Sequence, residues 1–76
     1  MSTEITVDDA AHALWSVGDG RGRQPGSFTS ALLTAIGHAD LGNRARLFEA
    51  FPGLLQAVML AQSVNGREEL ARLLAA

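Results

Sequence analysis

His12 and His38 are the only imidazoles in this chain, and eight acidic residues are the other groups that acid–base chemistry would draw on. A general base needs an orienting partner within hydrogen-bond reach, and a nucleophile or substrate pocket beside it. His12 stands one helical turn after Asp8 on a polar face, a spacing that predicts a solvated ion pair. His38 falls in the last turn of a helix, where a cation suits the dipole and the ring can cover a carbonyl. There is no cysteine, no His-x-x-x-His and no Glu-x-x-His spacing, so neither a thiolate site nor a helical di-metal site is encoded. No metal and no cofactor is expected, and the chain does not read as an enzyme.

The segment 18–27 is the one stretch that is neither periodic nor apolar, and it holds half of the eight glycines and two of the six arginines. Cradling a phosphate takes backbone amides converging at a helix N-terminus, normally with a Lys and a Ser/Thr in Gly-x-x-x-x-Gly-Lys-Ser/Thr. The chain has no lysine. An anion site built from Arg21, Arg23 and the helix start at Ser27 therefore stands beside the plainer reading of a flexible connection. As an exposed contact surface the loop is the stronger candidate. Six basic against eight acidic residues give a net charge of -2, which opposes generic binding to a polyanion. Nucleic acid is thus an unfavoured partner.

The elements that must position these residues are helical throughout. At 76 residues the chain is one domain, of a size that buries only roughly 60 to 65% of the surface its unfolded chain exposes. Hydrophobic residues at 47% and charged ones at 18% nevertheless predict a packed core. No run alternates with period two, so the fold class is all-α: a single small bundle of four to five short helices, with residues 1–5 as a tail. Thr6 and Asp9 have capping-box spacing, with Asp in place of the usual Glu, and start a helix over 7–17 that Gly18 ends. Ser27 is placed to cap a helix over 28–39, and Asp40 one over 41–51. Pro52 suits the first turn of a fourth helix over 52–64. Asn65 and Glu68 have the spacing to cap a last helix, with Glu68 and Arg72 paired outside at i, i+4. The expected core is Trp15, Phe28, Leu32, Ile36, Phe48, Leu55, Val58 and Leu70. No segment approaches the ~20 apolar residues of a membrane span, and the N-terminus lacks the pattern of a secretory signal. A cytoplasmic protein without membrane contact is expected.

The run Arg23-Gln24-Pro25-Gly26-Ser27-Phe28, followed by Ala31-Leu32-Leu33, Ala39-Asp40, Asn43, Leu47 and Phe51-Pro52, resembles a pattern in small helical proteins of bacteria and their phages. The pattern is Pro-Gly-Ser/Thr-Phe, a short apolar helix, Ala-Asp-x-x-Asn and a closing Phe-Pro, and it spans about the middle half of the chain. The resemblance implies an accessory protein of a phage or an actinobacterial genome and carries no activity with it. A preference for arginine, alanine, glycine and leucine, the codon bias of a GC-rich genome, agrees with that source.

Two features point to association. The fourth helix is apolar around most of its circumference, as befits a central helix or one covered by another chain. Arg44 falls by helical spacing among Leu41, Leu47, Phe48 and Phe51: either its stem runs along the core edge or its guanidinium is held by a carboxylate or a helix end. Arginine beside aromatics is also the composition of an interface anchor. The expected partner-binding residues are Arg21, Arg23, Arg44, Phe48, Phe51, Leu54, Met59 and Leu60. The function this supports is a protein-interaction module that binds another protein or itself. A helix-turn-helix DNA reader, built on the corner at Asp40, is the alternative. Its recognition helix would hold only Arg44 and Arg46, offset by Asp40 and Glu49, and binding strength grows with phosphates neutralised.

Overall fold

The first helix starts by reciprocal capping. The Thr6 hydroxyl accepts from the Asp9 N–H at 3.0 Å, and the Asp9 carboxylate accepts from the Thr6 N–H at 3.1 Å, so two donors that a helix start leaves open are satisfied. This computed structural model describes residues 4–76. Its elements are α1 (Val7–Ser16), α2 (Ser27–His38), α3 (Leu41–Ala50), α4 (Pro52–Leu60) and α5 (Val64–Ala75), with no strand among the described residues. The fold is a small all-α bundle. Residues 1–3 of the expected N-terminal tail lie outside the described residues.

Asp40 caps α3 as its position predicts, accepting from the Asn43 N–H at 2.8 Å. Pro52 opens α4 directly after the Phe51 junction. Two caps differ from expectation. Ser27 is the first residue of α2 rather than its cap; Gly26 takes the capping position in extended conformation, and its carbonyl already accepts from the Ser30 N–H. Glycine is an adequate N-cap, so the helix begins one residue earlier. At α5 the cap is Ser63, whose hydroxyl accepts from the Gly66 N–H at 3.0 Å, and Asn65 lies inside the helix. Because α5 begins at Val64, α4 ends at Leu60 rather than reaching residue 64.

Two apolar clusters share α4. On one side Ala10, Ala13 and Leu14 of α1 meet Ala57, Ala61 and Leu70; the four alanines let helix backbones approach closely. On the other side Leu33 and Ile36 of α2 meet Leu54 and Leu55 of α4, flanked by half-buried Leu47, Phe48, Phe51 and Val58. This is why α4 is apolar nearly all round. It is enclosed mostly by its own chain, and its apolar circumference does not by itself call for a partner. The radius of gyration, 11.5 Å, is that of a close-packed chain of this length, about 11 Å.

Ile36, Leu55 and Leu70 are buried as expected, but Trp15 and Phe28 are not core residues. Trp15 is 39% exposed because the inward stripe of α1 runs through Ala10, Ala13 and Leu14, one step of the helix away. Phe28, in the first turn of α2, is 67% exposed, and its ring lies 6.1 Å from that of Phe51 in a tilted arrangement at the surface.

Candidate functional site

The segment 18–27 is folded onto α1 rather than free. Gly18 adopts φ 77°, the left-handed conformation that closes helices, and the N–H groups of Gly18 and Asp19 donate to the Trp15 and Leu14 carbonyls. Gly22 sits so close to the backbone of Trp15 that no Cβ fits there. The Arg23 N–H donates to the Ala11 carbonyl at 3.0 Å, and Pro25 is buried. Both loop arginines are paired. The Arg21 guanidinium lies 2.8 Å from Asp19 and 2.8 Å from Glu68 on α5, and Arg23 pairs with Asp8, with the His12 ring 3.5 Å away.

These pairings hold the carboxylates ionised. Hydrogen bonds from the Arg21 side chain and backbone bring Asp19 down to about 2. The Arg21 side chain lowers Glu68, and Arg23 lowers Asp8. Asp8 therefore has Arg23, not His12, as its main partner, and Glu68 turns to Arg21 rather than Arg72. The loop is a strap pinned to α1 and α5, its two cations neutralised. It is neither a pliable contact surface nor an anion cradle.

The open feature of the molecule is a groove of about 930 Å³ between the end of α1, α2, α3 and α4. Its volume falls in the range of ligand-binding clefts, roughly 300 to 1,000 Å³. From α3 it is lined by Leu41, Arg44, Ala45 and Phe48, a stripe at i, i+3, i+4 and i+7 that faces one direction. Leu33, Ile36 and Gly37 form the α2 wall, and Leu55, Val58 and Met59 the α4 wall. Arg44 is the only charged side chain in the lining, and among the described residues it makes no ion pair. At the rim Leu41 is 87% exposed and Met59 57%, and α3 has no buried residue at all.

Of the residues singled out for partner binding, the fold brings Arg44, Phe48 and Met59 into this groove. Phe51 stands apart with Phe28, and Leu54 is buried inside the second cluster and presents no contact surface. Leu60 is half-buried against the first cluster, while Arg21 and Arg23 do not line the groove. Leu41 was legible as part of the α3 apolar stripe, but its exposure was not: the stripe looks the same whether a neighbour covers it or not. A smaller cleft of about 400 Å³ on the other side of α3 holds His38, Asn43, Arg46 and Leu47, with Arg46 donating to the Asn43 side chain.

Among the described residues no three His, Cys, Asp or Glu side chains gather as a metal site would need, and no helix is long and apolar enough to cross a membrane. Compared with protein families, curated proteins and solved structures, the chain matches no family model, no curated protein and no solved structure.

Proposed function

We propose that this protein is a non-catalytic interaction module, and that its groove receives an amphipathic helix of another polypeptide with a carboxylate facing Arg44. The observation that carries this reading is the unfilled apolar stripe of α3, opened by Leu41 at 87% exposure and containing one unpaired cation. Helices dock into apolar grooves through anchors spaced at i, i+3, i+4 and i+7, and a charge within such a groove sets register and choice of partner. Neither histidine lines the groove, which supports a binding rather than a catalytic role. The resemblance to phage and actinobacterial proteins directs the search for partners to a bacterial cytoplasm, where an accessory or host-directed regulator would act. A DNA-reading role draws less support, since Arg21 and Arg23 are neutralised by acids and α3 offers only Arg44 and Arg46.

Affinity capture from cells that also contain the untagged chain tests this reading, with wild type beside Leu41→Glu. A carboxylate in the first turn of α3 suits the helix dipole, so the variant keeps its fold. Polypeptides retrieved by the wild type, whether host proteins or copies of this chain, are expected to be lost with Leu41→Glu. Retrieval of the same set by both, or retention of nucleic acid alone, sinks the reading.

A further inference from the structure

α3 has the features of the helix that its own groove asks for. We propose, resting on the groove as a docking site, that its occupant is α3 of a second copy of this chain, in a two-fold dimer where Arg44 of each copy pairs with Asp40 of the other. Asp40 stands one turn before Arg44, so the two project from the same side of α3. One Asp40 oxygen caps the helix through the Asn43 N–H at 2.8 Å; the other accepts no hydrogen bond among the described residues. α3 therefore carries, on one exposed face, apolar anchors, the groove's cation and a carboxylate available to meet a cation.

Two-fold symmetry sets residue i against j and j against i. Two antiparallel copies of α3 then form the Asp40–Arg44 pair twice and keep the two guanidinium groups apart. No acidic side chain lines the groove, so no intramolecular partner competes for Arg44. A foreign helix would have to bring its own carboxylate in register, whereas this chain already holds one at the spacing the symmetry requires. Association also covers Leu41 and Met59, and a chain of 76 residues is of a size where oligomerisation commonly supplements a limited core.

Sedimentation equilibrium over a concentration series tests the proposal. The wild type is expected to dimerise reversibly. Arg44→Glu and Asp40→Lys, measured separately, each bring like charges together and are expected to weaken the dimer about tenfold or more. Mixing the two variants restores association, because both cross-pairs then join opposite charges. Since Asp40→Lys also removes the α3 cap, Asp40→Asn is measured beside it; it keeps the cap, and is expected to weaken the dimer with helicity unchanged. A wild type that stays monomeric up to about 1 mM, variants that dimerise like the wild type, or a mixture that stays monomeric would each overturn the proposal. A monomeric wild type that captures a host protein in a manner sensitive to Leu41→Glu removes only the second copy and leaves the groove as a docking site.

Discussion

Arg21 on the loop reaches Glu68 on α5, with 2.8 Å between guanidinium nitrogen and carboxylate oxygen. It holds Asp19 with the same nitrogen at 2.8 Å, so a segment rich in glycine is fastened at both ends of one side chain. That contact joins residues 47 positions apart in the sequence.

The strap makes stability sensitive to acid. Arg21 depresses Asp19 from an ordinary 3.8 to about 2 and lowers Glu68 as well. A group whose folded pKa is depressed contributes stability above its unfolded pKa and loses it as pH falls through the folded value. The melting temperature of the wild type should therefore drop between about pH 4 and pH 2, and Arg21→Ala should flatten that drop while changing little at pH 7, where exposed pairs contribute little. An equally steep acid limb in the variant would show that Arg21 does not hold these carboxylates.

Trp15 and Leu14 are neighbours with opposite fates. Leu14 is fully buried and Trp15 is 39% exposed. Leu14→Ala should cost about 3 kcal/mol or more, as fully buried leucines do, and Trp15→Ala about half of that despite the larger side chain. Urea unfolding of the two variants decides it; a greater loss for Trp15→Ala would place the indole in the core.

Three glycines separate close approach from open space. A Cβ at Gly66 would overlap the Leu60 carbonyl, and one at Gly22 the Trp15 backbone, whereas a Cβ at Gly37 meets nothing within 4 Å. Gly66→Ala and Gly22→Ala should each destabilise by about 2 kcal/mol or more. Gly37→Ala, inside α2, should stabilise by about 0.5 to 1 kcal/mol. Thermal melts showing the same sign for all three would contradict this packing.

Capping gives a fourth comparison. Thr6, Asp40 and Ser63 each accept from a backbone N–H three residues on, and Ser27 caps nothing. Alanine at any of the first three should lower stability by about 1 kcal/mol, and Ser27→Ala should be close to neutral. A loss at Ser27 as large as at Asp40 would mean that α2 starts one residue later.

The sequence by itself determined the helical class and most helix starts, because these depend on groups three or four residues apart. Thr6 with Asp9, Asp40 with Asn43 and Pro52 could all be read that way. Where two adjacent residues were both able to cap, the local pattern left the choice open, and the backbone around Gly26 and Ser63 decided it. Periodicity marked Trp15 and Phe28 as apolar, yet which part of an apolar arc turns inward depends on the neighbouring helices. Leu14 took the inner place on α1, and Phe28 lay beyond the reach of α4. Only the tertiary structure paired Arg21 with Glu68 and Arg23 with Asp8, because a charge finds its partner by distance in space. It also moved the candidate docking surface from α4 to α3: α4 is enclosed by two clusters of its own chain, while the stripe of Leu41, Arg44, Ala45 and Phe48 faces a groove that nothing in this chain fills.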